Sequence, residues 1–439
     1  MNYLLLFTVL YFFVNKSFVV TLESINCIDN PDNFKCKFAT IVPYRYIANY
    51  NDTEISIPDC EAQKIWFLIR HGTRFPSKKI IEEINNKLPA LKQKILDNCK
   101  FKECFLNEKQ LKNLIDWNLN IQEDQAMILA NEGKNELIGL AERYQSRFPK
   151  LLPEKYKNST YKFKFTASQR TNQSAKYFTI GLFGKRQSDQ IYFPEPEEKD
   201  PILRFYKACD KWLKNVKKNP QALRELEEFK QSATMKTMLE NMSQRLGFNV
   251  DFDDIKLMRS MCSFETAWNE QTKSPWCHIL SPEAFEVMEF VDDLKYYWID
   301  GYGFALTSEQ ACPALRDMFD FFKSNDELKI SAYFTHSGTL LKVLSILGLA
   351  KDAEPLLQSS FRTSKNRQWR TSLIDAFATN MAFISYNCKS NGPSILVMHQ
   401  ERIVNLPGCP KNVPCPLNTM EEMYPDKKEE CNFEDICSS

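Results

Sequence analysis

Residues 66 to 76 read WFLIRHGTRFP, an apolar run that ends on Arg70 and His71, turns at Gly72, and adds Arg74 and Pro76. These residue types suit one chemistry. Guanidinium groups are planar bidentate donors that match phosphate oxygens, and a neutral imidazole is a competent nucleophile toward phosphorus. Phosphoryl transfer rests mainly on positioning and on neutralising the charge of the equatorial oxygens, so arginines around a histidine form a sensible set. Two further residues fit that set: Arg170, at the end of YKFKFTASQR (161–170), and His336, at the end of KISAYFTH (329–336). The candidate site is therefore Arg70, His71, Arg74, Arg170 and His336.

The elements that must position these residues share one local grammar. KIWFLIR (64–70) is a short apolar run suited to a buried strand, and PSKKIIEEINNKL after it has helical spacing with Pro76 near its start. YKFKF alternates as a strand does and runs into an amphipathic stretch, TNQSAKYFTIGLFG, that ends near Gly184. KISAYFTH is a third strand, and SGTLLKVLSILGLA is its helix. In an open α/β sheet, ligands bind outside the carboxyl ends of the strands, where helix N-termini favour anions. NMAFISY and SILVMHQERIV complete the sheet, whereas residues 196–325 read as helices and loops and are expected to form a cap.

The whole chain sets bounds on this reading. With 439 residues, 43% hydrophobic and 26% charged, it is globular, with material for a large core and, we expect, two lobes. Formal net charge is +1, from 57 basic and 56 acidic residues, so no global field draws it to nucleic acid or an anionic membrane. Affinity for an anion must be built locally. The apolar run Tyr3–Val14 is too short to span a membrane and sits where a secretory signal would, so residues 1–22 are expected to be a signal peptide.

The 14 cysteines include three closely spaced pairs, Cys99 with Cys104, Cys409 with Cys415 and Cys431 with Cys437, which read as disulfides in an oxidising compartment. Four histidines and the absence of a CxxC pair make zinc the weaker reading. Glycosylation sequons at Asn51, Asn158, Asn172 and Asn241 fit a protein that is secreted or held in the lumen of the secretory pathway.

Taken together, Arg-His-Gly-x-Arg-x-Pro is similar to the signature of the histidine phosphatase superfamily in its acid phosphatase branch. RHGTRFPSKKI most resembles the multiple inositol polyphosphate phosphatases. FTASQRTNQSAKYFTIGLFG resembles that family's second arginine block, YFTHSGTLLKVLSILGL its second histidine block, and NMAFISYNC with ILVMHQERIVNLPGCP its closing strands. The resemblance implies a three-layer α/β core (residues 23–195 and 326–439) with an inserted, mainly helical cap (196–325). It also implies a phosphomonoesterase, free of metal and cofactor, acting on inositol polyphosphates such as phytate and sometimes on bisphosphoglycerate. By the same resemblance His71 is the nucleophile that forms a phosphohistidine, and Arg70, Arg74 and Arg170 clamp the phosphate. His336 stabilises the transferring group from the other side, and Lys78 and Lys79 add charge for the substrate's other phosphates. A glycan on Asn172, two residues after Arg170, would crowd this pocket, so that sequon is expected to be unoccupied.

The sequence departs from the family at one informative place. Members carry a carboxylate after the second histidine, as His-Ala-Glu or His-Asp, and here the residues are His336-Ser337-Gly338. That carboxylate protonates the leaving alkoxide, a role typically worth about 10²- to 10⁴-fold. A serine hydroxyl is a poor proton donor near neutral pH, so a carboxylate from the cap or a neighbouring substrate phosphate is expected to do the work instead. Two expectations follow: a secreted phosphomonoesterase, slowed or served by another acid, or an inactive phosphatase-like protein that binds inositol phosphates or other polyanions. The first leads, because a binder has no need of a nucleophilic imidazole.

Overall fold

In β1 (Cys60–Arg70) the residues Ile65 to Ile69 are five apolar side chains in succession with no exposed surface. Such a strand needs partners on both edges and cover on both faces. The computed structural model, which describes residues 25–438 except 102, 103, 120, 272 and 425–430, supplies all four. On one edge β3 (Ile330–Thr335) runs parallel to β1, with Arg70 opposite Thr335, and β2 (Tyr161–Phe165) runs parallel beyond it. On the other edge β4 (Asn380–Cys388) is antiparallel, followed by β5 (Gly392–His399) and β6 (Arg402–Ile403). The short β7 (Cys415–Pro416) pairs with β5, and the sheet order is β2-β3-β1-β4-β5-β6.

Alternation along β1 assigns its two faces. Phe67 packs edge-on against Tyr144 (4.9 Å between ring centres) of helix Asn131–Arg147 and Phe178 (5.9 Å) of helix Gln169–Ser188. Trp66 faces the other way, and its indole N–H donates to Asp317 (2.8 Å) on helix Cys312–Lys323. The fold is thus a mixed α/β sheet between two layers of helices. Residues 205–323 contain helices and no strand among the described residues. None of the described helices is long and apolar enough to cross a membrane, and the expected signal segment at 1–22 lies outside the described residues.

All 14 cysteines are in seven disulfides. Cys99–Cys104 and Cys409–Cys415 pair as their spacing suggests. Cys431 and Cys437 do not pair with each other. Cys431 joins Cys312, and Cys437 joins Cys209 beside Trp212. The C-terminal tail is therefore stapled to two different helical segments, which short-range spacing could not reveal. Peptide mapping without reduction is expected to recover Cys312–Cys431 and Cys209–Cys437 linked peptides, and a Cys431–Cys437 peptide would contradict this arrangement.

Candidate active site

Because β1, β2 and β3 are parallel and adjacent, their carboxyl ends open on the same side. β3 lies between the other two, which places His336 between the segment carrying Arg170 and the turn carrying His71. The backbone of that turn is pinned on both edges. Arg70 N donates to Thr379 O (2.8 Å), His71 N to Thr335 O (3.0 Å), and Ala378 N to His71 O (3.1 Å).

Hydrogen bonding fixes the tautomers of both histidines. His71 Nδ1 lies 2.9 Å from the Gly72 carbonyl oxygen, which can only accept, so Nδ1 carries the proton and Nε2 keeps its lone pair. His336 Nδ1 receives an N–H of Arg170 (3.2 Å), so its proton is on Nε2, which donates to Thr166 Oγ1 (2.8 Å). The two rings are 5.5 Å apart. Burial, then the guanidiniums of Arg170 and Arg70, push the His71 imidazole well below its ordinary range. Burial and Arg170 do the same to His336. Both rings are neutral.

Four guanidiniums surround them. The Nε atoms of Arg70, Arg74, Arg170 and Arg204 are buried and have no acceptor among the described residues. Burial and the charges of Arg170 and Arg70 pull Arg74 down to about 9, while burial and Arg204 pull Arg170 down to about 10. Crowding like charges this way is unfavourable until an anion arrives. Phe377 supports the cluster, with Arg70 and Arg74 lying 4.8 and 5.9 Å over its ring. The groups converge on a cavity of about 320 Å³. A larger cavity, about 590 Å³, lies at the opposite end of the sheet beside Lys329 and Tyr161, and none of these histidines or arginines lines it.

Residues 63–400 match the histidine phosphatase superfamily (branch 2). The chain belongs to that superfamily. Membership places it among the phosphoric monoester hydrolases. It is 33% identical to multiple inositol polyphosphate phosphatase 1 of Drosophila melanogaster over 366 residues, 81% of this chain and 77% of that protein. The structure superposes on the phytase from D. castellii with a TM-score of 0.74 at 17% identity, covering 93% of this chain and 88% of that one. It also superposes on the Bifidobacterium longum multiple inositol polyphosphate phosphatase in complex with inositol hexasulfate, with a TM-score of 0.59 at 13% identity, covering 85% and 93%.

The geometry sorts the residues that sequence singles out in this histidine phosphatase. Arg70, His71, Arg74, Arg170 and His336 all line the cavity. Lys78 and Lys79 do not. After Arg74 the chain turns away, with Phe75 packed on Trp268 (4.9 Å), and Lys78 and Lys79 emerge exposed on the first turn of helix Lys78–Phe101. There they face Glu123 (2.8 Å) and Glu83 (3.9 Å). Asn172 is also set apart from the cavity. Two residues turn a helix by about 200°, and Asn172 lies in a separate surface groove with Phe193 and Pro194.

Arg204, Lys207 and Lys217 also line the cavity, and no sequence motif marks them. They come from a region with no strand-end motif. Arg204 is positioned by its neighbour: the Leu203 carbonyl accepts the hydroxyls of Thr335 (2.6 Å) and Thr339 (2.7 Å) at the end of β3.

The turn itself depends on a close backbone approach. A Cβ on Gly72 would lie 2.5 Å from the Gly133 carbonyl oxygen and 2.7 Å from Gly133 Cα, with Gly133 in the first turn of helix Asn131–Arg147. Gly133→Ala has the reciprocal clash against the backbone of Thr73. Overpacking of this kind costs about 1–3 kcal/mol, and a displacement of about 1 Å at a catalytic group lowers rate roughly 10²-fold. Both losses are expected, and thermal melts with steady-state kinetics on Gly133→Ala check them.

Proposed function

We propose that this chain is a secreted or lumenal phosphomonoesterase that cleaves inositol polyphosphates through a phosphohistidine on His71. One observation carries the proposal: a neutral imidazole whose Nε2 keeps its lone pair lines a cavity together with four guanidiniums whose Nε atoms have no acceptor among the described residues. The arginines hold the phosphoryl oxygens while Nε2 attacks phosphorus, and the P–O bond to the inositol oxygen breaks as the N–P bond forms. His336, held as the Nε2–H tautomer by Thr166, keeps Arg170 in place on the phosphate through its Nδ1 acceptor. In the second half-reaction water attacks phosphorus and the N–P electron pair returns to Nε2.

The substrate class rests on the wider cavity and on the relatives. Lys207 and Lys217 extend the positive lining beyond what one phosphate needs, and the Drosophila relative is named for inositol polyphosphates. Seven disulfides support an oxidising compartment. A non-catalytic polyanion binder is the second reading, favoured by the missing acid at Ser337-Gly338.

The deciding experiment is phosphate release from inositol hexakisphosphate and from p-nitrophenyl phosphate across acid to neutral pH. Release from both establishes the phosphatase, whereas binding of inositol hexakisphosphate with release from neither leaves a binder. Two further outcomes are expected of the active protein. Lys207→Met/Lys217→Met raises KM for inositol hexakisphosphate about tenfold, the loss of roughly 1.4 kcal/mol of binding, and changes KM for p-nitrophenyl phosphate less than twofold. Because His71 is held well below its ordinary pKa, it stays unprotonated into the acid range. The kcat/KM profile should therefore show no acid limb with a midpoint near the usual histidine value of about 6.5.

A further inference from the structure

Departure of an inositol alkoxide needs a proton, and neither residue after His336 can provide one. Gly338 has no side chain, and the Ser337 hydroxyl is turned away and donates to Asp375. Asp375 has no exposed surface and does not line the cavity; its carboxylate lies 3.6 Å from Arg70 Nη1. Among the described residues that do line the cavity, Asp300 is the one carboxylic acid.

Its position is specific. Asp300 ends helix Pro282–Asp300 and lines the cavity beside Gly338. A Cβ placed on Gly338 would meet Asp300 Oδ1 at 3.3 Å, so this carboxylate fills the space that a side chain at 338 would enter. It is also held in place. Lys342, fully buried one turn beyond Gly338, donates to Asp300 Oδ1, and its ammonium stands 4.3 Å over the Trp212 ring and 4.9 Å over Tyr206. Lys342 also reaches the Gly338 carbonyl at 3.3 Å.

Resting on the phosphomonoesterase reading above, we infer that Asp300 is the general acid of this site, supplied by a distant helix in place of the residues that follow His336. In its protonated form Asp300 gives its proton to the inositol oxygen as the P–O bond breaks and His71 Nε2 bonds to phosphorus. The electron pair of the broken bond goes to the leaving oxygen, and the Lys342 ammonium stabilises the carboxylate left behind. In the second half-reaction the carboxylate takes a proton from the attacking water as the N–P bond breaks, which restores the acid.

The test compares Asp300→Asn, which keeps an acceptor for Lys342, with wild type on two leaving groups. On inositol hexakisphosphate kcat falls by about 10²- to 10³-fold, and on p-nitrophenyl phosphate, whose phenolate needs little protonation, by no more than about tenfold. Asp300→Ala/Gly338→Glu, which moves the carboxylate back to the vacated space, recovers at least about tenfold over Asp300→Ala on inositol hexakisphosphate. Near wild-type kcat of Asp300→Asn on inositol hexakisphosphate overturns the assignment, as does an equal loss on both substrates or a leaving-group-dependent loss in Asp375→Asn alone. Wild type inactive on both substrates is a different result: it removes the phosphatase reading itself, and the acid with it.

Discussion

His71→Ala is expected to abolish phosphate release from inositol hexakisphosphate and p-nitrophenyl phosphate alike, by at least about 10⁴-fold in kcat, as loss of a covalent nucleophile does elsewhere. Binding should survive. The imidazole is neutral and its Nδ1 proton is committed to the Gly72 carbonyl, so its removal leaves the charge on the four arginines and the backbone bonds of residue 71 intact. Titration calorimetry should place the dissociation constant of inositol hexakisphosphate within about threefold of wild type, under 1 kcal/mol. Arg170→Ala gives the contrasting result. It removes a guanidinium whose Nε has no acceptor among the described residues and frees His336 Nδ1, so affinity and rate fall together. Rapid-quench labelling adds an independent readout: wild type accumulates an acid-labile phosphoenzyme, and His71→Ala accumulates none. More than about 1% of wild-type kcat in the alanine variant would mean another nucleophile and overturn the assignment to His71.

That central chemistry is legible in sequence because it is short-range. Each of Arg70, His71 and His336 directly follows or ends a strand whose apolar run is unmistakable, and Ile65 to Ile69 are buried on both faces, so no alternation obscures the strand. Parallel pairing of β1 with β3 then brings the blocks together. Other parts of the site depend on tertiary placement, which local pattern does not encode. Arg204 faces the cavity because the Leu203 carbonyl caps two threonines at the end of β3, and Asp300 reaches it from the last residue of a 19-residue helix. Lys78 and Lys79 fail for the converse reason. They are near the motif in sequence, but the packing of Phe75 on Trp268 sends the chain outward before them. Asn172 is set apart from the cavity because nearness along a helix is not nearness on one face.

Glu136, which no sequence motif marks, is where the catalytic turn is anchored to the fold, and its loss should be among the most damaging changes outside the cavity. Its carboxyl accepts Thr73 N (2.7 Å) and Thr73 Oγ1 (2.9 Å) on the turn, and Tyr44 N (2.8 Å) on the N-terminal segment. Glu136→Ala strands two buried backbone N–H groups, each costing about 1–3 kcal/mol, and frees the residue between Gly72 and Arg74. A loss of about 3–5 kcal/mol in stability and at least tenfold in kcat is expected. Glu136→Gln isolates the role of charge. Burial, reinforced by Glu132, raises the Glu136 carboxyl from 4.5 to about 7, against the opposing pull of its hydrogen bonds from Thr73 and Tyr44. A group whose folded pKa is raised binds more protons folded than unfolded. Its contribution is therefore fully present below about 4.5 and is lost as pH rises through about 7. The Thr73 hydroxyl can turn to accept the proton in the acid form, so that state keeps its bonds. The melting temperature of wild type relative to that of Glu136→Gln should accordingly fall between pH 5 and pH 8, and an unchanged difference would show that Glu136 titrates alike in the folded and unfolded chain.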